Sequence, residues 1–293
     1  MRIAVTGWQG QIARALLEAG TALGVEVTTV GRPKLDLAEP ETIEPALREA
    51  SPDVVVNAAA YTAVDEAERE HEITAKINKA GAGAVAAAAK VLRAPIIHLS
   101  TDYVFDGAKT SAYVEDDPVA PTSAYGVSKL AGEQAVAAAN CDHLILRTSW
   151  VYAPYGKNFV RTMLALAETR EEVRVVADQR GCPTYAPDIA QAIIRIARSL
   201  LEDRSDSRLR GVFHLAGTGE TTWAGLAGAI FEYLAGRGQR HPMLRPITSA
   251  EYPTPARRPA NSRLNCARLA SIHGIQLPHW RESLTSCLER LTS

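Results

Sequence analysis

The stretch RIAVTGWQGQIA, residues 2–13, decides the fold of this chain. A short β-branched and apolar run ends in Thr6, two glycines follow at Gly7 and Gly10, and a helical pattern begins at Gln11. In this arrangement Gly7 permits a tight turn and Gly10 lets a phosphate approach the backbone. The start of the helix directs free N–H groups and its positive dipole end at a pyrophosphate. An ordinary strand-to-helix turn would show the same glycines, but the position after the first strand favours a dinucleotide-binding turn.

Outward from this stretch, apolar β-branched runs alternate with longer helical stretches as far as about residue 150. This alternation predicts βαβ units, and the nearly continuous apolar character of the strands predicts helices on both faces of the sheet. We therefore expect an α/β fold with a doubly wound, Rossmann-like parallel sheet. The predicted strands are Arg2–Thr6, Glu26–Val30, Asp53–Asn57, Pro95–Ser100 and His143–Thr148, and the predicted helices are Gln11–Leu23, Glu41–Ala50, Asp65–Val91 and Ser123–Ala139.

After about residue 150 the alternation becomes less regular. We predict a dinucleotide-binding domain over residues 1–150, with a returning segment at about 178–210. Residues 151–177 and 211–293 are predicted to form a smaller, discontinuous α/β substrate-binding subdomain. Within it, the Pro- and Arg-rich stretch 241–265 is predicted to be an irregular loop before two closing helices.

The composition narrows the class of protein. The chain has 293 residues and a formal net charge of -1, so it lacks the basic excess that nucleic acid binding requires. Its four cysteines are scattered without a C-x-x-C pair, which favours reduced thiols and no zinc site. No stretch reaches the roughly 20 apolar residues of a membrane span, and the N-terminus shows no signal-peptide pattern. We expect a cytoplasmic protein without nucleic acid or membrane partners, either a monomer or a homodimer.

The end of the second predicted strand bears on the choice of cofactor. The sequence there is Val30-Gly31-Arg32, where an NAD-binding chain would place an acidic residue. An arginine at this point can pair with the 2′-phosphate of NADP. Asp36 lies close behind and could reach the ribose in a longer loop, so NADPH is favoured and NADH stays open.

Tyr125 and Lys129 are the candidate catalytic pair. They stand at i and i+4 of a predicted helix, so both project from one face. A nearby ammonium would favour the tyrosinate and lower the pKa of the phenol. Thr101 ends the fourth strand, at the edge of the sheet where ligands bind, and can donate a hydrogen bond to a substrate carbonyl. These residues predict transfer of a hydride from a nicotinamide and of a proton from Tyr125.

With these residues in view, the chain resembles the dTDP-4-dehydrorhamnose reductases of the extended short-chain dehydrogenase/reductase superfamily. The resemblance covers nearly the whole chain. It is carried by NAAAYTAVD (57–65), STDYVFDG (100–107), YGVSK (125–129), RTSWVY (147–152), DQRGCPT (178–184) and RPANSRL (258–264), together with the glycine turn.

The resemblance implies which residues line the two halves of the site. Those on the cofactor side are Gly7, Gly10, Gln11, Ile12, Arg32, Asp36, Leu37, Ala60, Tyr61 and Thr62, joined by Tyr125 and Lys129. Those on the side of a dTDP-deoxysugar are Thr101, Asp102, Tyr103 and Trp150, with Asn158, Arg258 and Ser262 as candidates for the diphosphate end. The implied reaction is reduction of the C4 keto group of dTDP-4-dehydro-L-rhamnose.

Two alternatives and one departure accompany the resemblance. Another nucleotide-sugar 4-ketoreductase or epimerase would share most of these motifs, and a non-catalytic dinucleotide-binding regulatory subunit would share the fold. A dehydratase is disfavoured, because Tyr103 stands where its second acidic residue would follow Asp102. Some family members bind magnesium through an acidic residue shortly after the glycine turn, where this chain has Arg14-Ala15, so we expect no metal.

Overall fold

The computed structural model describes residues 1–292, and a parallel sheet of six strands forms its centre. The strands of the chain are β1 (Arg2–Thr6), β2 (Glu26–Val30), β3 (Val54–Asn57), β4 (Ile96–Thr101), β5 (His143–Thr148), β6 (Val151–Tyr152), β7 (Glu172–Val176), β8 (Arg180–Gly181), β9 (Thr184–Tyr185), β10 (Gly211–His214), β11 (Thr221–Thr222), β12 (Met243–Ile247) and β13 (Asn261–Ser262). The central sheet has the order β2-β1-β3-β4-β5-β10, and all its pairings are parallel.

Helices cover both faces of this sheet. They are α1 (Gln11–Leu23), α2 (Ile43–Ala50), α3 (Val64–Ala67), α4 (His71–Ala75), α5 (Ala82–Val91), α6 (Ala124–Ala139), α7 (Phe159–Thr169), α8 (Ala186–Glu202), α9 (Trp223–Gly236), α10 (Ala267–His273) and α11 (Trp280–Thr292). Ile3 and Val5 of β1 pack into one core with α1 and α8, whereas Ala4 faces a second core with α2, α5 and α6. This alternation confirms the predicted doubly wound α/β fold.

The order of the strands changes direction at β1, which has β2 on one side and β3 on the other. In open α/β sheets, ligands bind beyond the carboxyl ends of the strands at such a switch point. The topology thus directs the glycine turn after β1 and the loops after β3 and β4 into one place.

The single helix predicted over 65–91 is wrong in detail. The segment is divided into α3, α4, a π-helical turn at Lys76–Gly81, and α5. The turn contains Asn78, whose Oδ1 accepts a hydrogen bond from the backbone N–H of Tyr61 (2.8 Å) and whose Nδ2 donates to the Tyr61 carbonyl (3.0 Å). A π-helical turn often marks a functional site, and here it contains the residue that anchors the loop after β3.

The stretch 241–265 is also more regular than predicted. Met243–Ile247 forms β12, which pairs in parallel with β7 in a separate two-stranded sheet. Pro246 and the neighbouring arginine suggested a loop, but a proline is tolerated in a strand that has a free edge. The two closing helices, α10 and α11, are present as predicted.

Most of the irregular second half packs around a core of its own, built from α7, α9, α11 and β7. The first residues of the range 211–293, which the sequence assigned to the smaller subdomain, instead form β10 at the edge of the main sheet. The remaining division into two domains stays a prediction. Within residues 1–292, none of the helices combines the length and apolar character that a membrane crossing requires.

Candidate active site

A large cleft of about 1480 Å³ opens beyond the carboxyl ends of β1, β3, β4 and β5. All but one of the residues predicted for the site line this cleft. They are Gly7, Gly10, Gln11, Ile12, Arg32, Asp36, Leu37, Ala60, Tyr61, Thr62, Thr101, Asp102, Tyr103, Tyr125, Lys129, Trp150, Asn158 and Arg258. Ser262 is the exception.

The glycine turn has the shape that a pyrophosphate needs. Gly7 has φ of 83°, in the left-handed region, and a Cβ there would lie 3.3 Å from the Cβ of Ala59. A Cβ at Gly10, by contrast, would meet no atom within 4 Å, so open space lies beside this residue. Gly10 also precedes α1 without any side-chain cap, which leaves the first N–H groups of the helix free for an anion. The residues present therefore fit a dinucleotide.

Buried hydrogen bonds hold the loop after β3 against this turn. The hydroxyl of Thr6 donates to Asn57 Oδ1 (2.7 Å) and accepts from the backbone N–H groups of Ala58 (3.1 Å) and Ala59 (3.0 Å). Because Thr6 ends β1 and Asn57 ends β3, the two strand ends that face the cofactor side of the cleft are tied together.

Arg32 and Asp36 follow the end of β2, and their side chains differ in the partners that they already have. Arg32 is exposed and has no carboxylate partner among residues 1–292. Asp36 Oδ1 already accepts a hydrogen bond from the backbone N–H of Ala38 (2.9 Å). Arg32 is thus the freer of the two groups, as a contact to a 2′-phosphate would require.

Thr101, Asp102 and Tyr125 meet at the centre of the cleft. The Thr101 hydroxyl donates to Asp102 Oδ1 (3.0 Å), and it lowers the pKa of the neighbouring Tyr125 phenol. Asp102 is 3% exposed, and its Oδ2 has no hydrogen-bond partner. Burial raises the pKa of Asp102 to about 6, although the neighbouring hydroxyl groups of Ser262 and Thr101 oppose this shift. An unpartnered buried carboxylate oxygen in a cleft calls for a donor, such as a hydroxyl of a ligand.

The pKa of Tyr125 moves opposite to the sequence-based prediction. Burial raises the pKa of this phenol, and the negative charge of Asp102 raises it further. Lys129 is not among the groups that lower the pKa of Tyr125, and its ammonium donates to the carbonyl oxygen of Leu99 (2.7 Å). Tyr125 is therefore fully protonated at neutral pH, which suits a residue that gives a proton to a carbonyl oxygen.

Lys129 is itself buried beside a charged network. Burial lowers its pKa to about 8, and the nearby carboxylate of Glu133 works in the opposite direction. Glu133 accepts hydrogen bonds from Arg147 (2.9 and 2.7 Å) and from the hydroxyl of Ser100 (2.5 Å). This network joins β4 and β5 to α6, the helix that carries Tyr125 and Lys129.

On the substrate side, Arg258 forms a bridge across the cleft. Its guanidinium donates to Asp65 Oδ2 (2.7 Å) and to the Tyr103 hydroxyl (3.1 Å). Its side chain is 28% exposed and so remains accessible to an anionic ligand. A diphosphate would compete with Asp65 for the same guanidinium.

Asn158 and Ser262 are predicted for the diphosphate end, and both mainly contact other parts of the protein. The amide of Asn158 caps α7 by accepting from the N–H of Arg161 (3.1 Å) and donates to Gln11 Oε1 (3.0 Å) and to the Ala153 carbonyl (2.8 Å). Ser262 belongs to β13, is 2% exposed and lies behind Asp102. Pairing with β8 buries this strand, so Ser262 lies outside the lining of the cleft, and its direct contact with the diphosphate stays a prediction.

Several residues that line the cleft were not predicted from the sequence. Asp65 lies within a motif that was quoted for the resemblance, but its pairing with Arg258 joins positions 193 residues apart. Trp8 and Trp223 also line the cleft, and no spacing connects Trp223 with the other site residues.

No group of three or more metal-ligating side chains occurs among residues 1–292. Arg14, which stands where some relatives of the resembled family have an acidic residue, lies 4.2 Å over the ring of Tyr155. That position is occupied by a cation–π contact.

The glycine turn, the end of β4 and the Tyr125 and Lys129 helix together define the site of a dinucleotide-dependent oxidoreductase. Comparison with known proteins narrows this class. The profile of the RmlD substrate binding domain family matches residues 1–293. The dTDP-4-dehydrorhamnose reductase of Sinorhizobium fredii is 54% identical over 97% of this chain and 95% of its own length.

Solved structures agree. A dTDP-4-dehydrorhamnose reductase of Clostridium acetobutylicum superposes with a TM-score of 0.91 and 36% identity, covering 100% of both chains. That of Bacillus anthracis, in complex with NADP, gives 0.90 and 35%, covering 98% of both. The chain belongs to the RmlD substrate binding domain family, together with these dTDP-4-dehydrorhamnose reductases.

Proposed function

We propose that this chain reduces the C4 keto group of dTDP-4-dehydro-L-rhamnose to the alcohol of dTDP-L-rhamnose, with NADPH as the preferred reductant. The observation that carries the proposal is the meeting of Thr101, protonated Tyr125 and buried Lys129 in one cleft with the glycine turn. Membership of the reductase family supports the choice of substrate.

Each residue of the site has a distinct role in the proposed reaction. When bound, NADPH supplies the hydride that adds to C4. Tyr125 gives its proton to the carbonyl oxygen, and the hydroxyl of Thr101 orients that oxygen through a hydrogen bond. Lys129 would hold the ribose of the cofactor. The free Oδ2 of Asp102 accepts a hydrogen bond from a hydroxyl of the sugar.

NADPH is preferred over NADH because Arg32 is free at the end of β2, whereas Asp36 is engaged by the backbone. The relative from Bacillus anthracis was solved in complex with NADP. Gly7, Gly10 and the start of α1 hold the pyrophosphate, and Ala60 to Thr62 line the opposite wall of the cleft.

The test is oxidation of NADPH and of NADH, followed by absorbance, with dTDP-4-dehydro-L-rhamnose generated in the assay. We expect turnover by the wild type with NADPH ahead of NADH. Tyr125→Phe should lose about 10²- to 10⁴-fold in kcat, the usual contribution of a positioned proton donor. Tyr233→Phe removes a phenol outside the cleft and serves as the matched control.

Undiminished turnover by Tyr125→Phe would refute the assigned role. A wild type that binds NADPH but does not turn over this sugar would favour another 4-keto nucleotide sugar or a regulatory role. The cytoplasmic location and the choice between monomer and homodimer stay predictions.

A further inference from the structure

Two indole rings stack in the wall of the cleft. The ring centroids of Trp150 and Trp223 are 3.6 Å apart and their planes differ by 10°. Both rings line the cleft, and Phe159 packs against Trp223 with a centroid distance of 4.7 Å. Trp150 is the residue predicted to touch the sugar, whereas Trp223 has no assigned role.

The backbone of Trp150 is strained. Its φ of 49° lies in the left-handed region, which is unfavourable for a bulky residue. Such a conformation persists only where the surroundings hold it from several sides. Here the carbonyl of Trp150 accepts from the N–H of Thr184 (3.1 Å), and the hydroxyl of the preceding Ser149 donates to the Cys182 carbonyl (3.1 Å).

The indole of Trp150 also needs a glycine beneath it. A Cβ built on Gly181 would lie 2.3 Å from Cε2 of Trp150, closer than any real contact. The ring is therefore held between the backbone of β8 and the face of Trp223. Its remaining surface is what a ligand in the cleft can touch.

Trp223 is held in turn by a chain of hydrogen bonds. Its indole N–H donates to Gln179 Oε1 (3.1 Å), and Gln179 Nε2 donates to the hydroxyl of Ser249 (2.9 Å). That hydroxyl donates to Asp178 Oδ1 (2.7 Å). This series of hydrogen bonds ends on the carboxylate of Asp178, which can only accept, so the donor in each bond is fixed. The series thereby sets the rotation of the Trp223 ring.

We propose that Trp223 is a positioning residue that holds the indole of Trp150 at the angle at which it bounds the deoxysugar pocket. The proposal rests on the proposed function, in which Trp150 packs against the sugar. The part of the indole that stays open to the cleft suits the C–H-rich side of a deoxysugar, and apolar contact with an aromatic ring depends on the ring angle.

The test compares Trp223→Ala and Trp223→Phe with the wild type, and uses Trp280→Phe as a matched control. Trp280 is 3% exposed, belongs to the same core as Trp223 and lies outside the cleft, so it reports general loosening of that core. We expect Trp223→Ala to raise the KM for the keto-sugar nucleotide roughly ten-fold. The KM for NADPH and the Kd for dTDP, which lacks the sugar, should stay unchanged. Trp223→Phe should recover part of the loss, because it keeps an aromatic face but not the N–H.

A readout without substrate completes the test. Stacked indoles contribute a coupled band to circular dichroism, so Trp150→Phe and Trp223→Phe should each remove the same band while Trp280→Phe leaves it. An unchanged sugar KM in Trp223→Ala, or equal weakening of dTDP, NADPH and sugar substrate, would overturn the proposal. Absence of turnover by the wild type, with the coupled band intact, would instead show that the proposed function fails while the indole pair stands.

Discussion

Loss of one charge from the Glu133 and Arg147 pair should destabilise the protein strongly. Both side chains are 5% exposed, and two guanidinium nitrogens donate to the two carboxylate oxygens at 2.9 and 2.7 Å. Glu133→Gln keeps the size of the side chain but leaves the charge of Arg147 buried without a counter-ion. Breaking a buried pair in this way costs about 3–5 kcal/mol, a large part of a typical stability of about 5–15 kcal/mol.

The assay is urea unfolding at neutral pH, with the midpoint and the slope measured together. Glu44→Gln is the matched control, because Glu44 pairs with Arg48 on an exposed helix face where the two side chains are 46% and 58% exposed. Its free energy of unfolding should change by about 0.5 kcal/mol or less. The double variant Glu133→Gln/Arg147→Met should recover much of the loss, because it removes both charges.

The same substitution should also move the pH profile of activity. Glu133 raises the pKa of Lys129 against the effect of burial, which lowers it to about 8. Without that carboxylate the pKa falls further, so the loss of kcat/KM on the alkaline side should begin at a lower pH. A destabilisation by Glu133→Gln below about 1 kcal/mol, or an alkaline limb that moves upward, would refute this account of the network.

Three further predictions concern the cleft. Gly10→Ala should leave the free energy of unfolding within about 1 kcal/mol of wild type, since the new Cβ meets no atom within 4 Å, but it should weaken NADPH binding about ten-fold or more in calorimetry. Gly236→Ala, equally open and outside the cleft, should change neither. Asp102→Asn should stabilise the protein at pH 7 by about 1–3 kcal/mol in urea unfolding, because burial raises the pKa of the wild-type carboxyl group to about 6. The protonated wild-type carboxyl group contributes its full stability below about pH 3.8, and this contribution is lost as the pH rises through 6. The advantage of the variant over the wild type should therefore vanish in acid. Arg258→Ala should weaken dTDP binding by about 1.5–3 kcal/mol. Arg258→Lys should not restore the binding, because a lysine cannot replace the planar two-nitrogen donor. Full restoration by lysine would contradict the diphosphate contact.

The local patterns of this chain were sufficient for much of the fold and the site. β1, β2, β5 and α1 have the predicted bounds, because each is set by the hydrophobic period of a few neighbouring residues, and a glycine also follows β1, β2 and α1 directly. Tyr125 and Lys129 share one helix turn for the same reason. The position of Thr101 at the end of β4 follows from the rule that parallel strands direct their carboxyl ends to one edge.

Longer-range features were not accessible in that way. The parallel pairing that makes Met243–Ile247 a strand depends on β7, about 70 residues earlier in the chain, and Pro246 conceals it locally. Within the predicted helix over 65–91, the π-helical turn places Asn78 against the backbone of Tyr61, a contact with an earlier loop that no local pattern predicts.

The sequence by itself determined the class of fold and the cofactor turn, and it supplied the candidates for the reacting groups, since these are encoded in short spacings along the chain. Only the tertiary structure decided the direction of the Tyr125 pKa, the burial of Ser262 and the stacking of Trp223 on Trp150. Each of these depends on burial and on contacts between segments distant in sequence. The dielectric around a phenol and the angle of an indole exist only once the chain has closed around them.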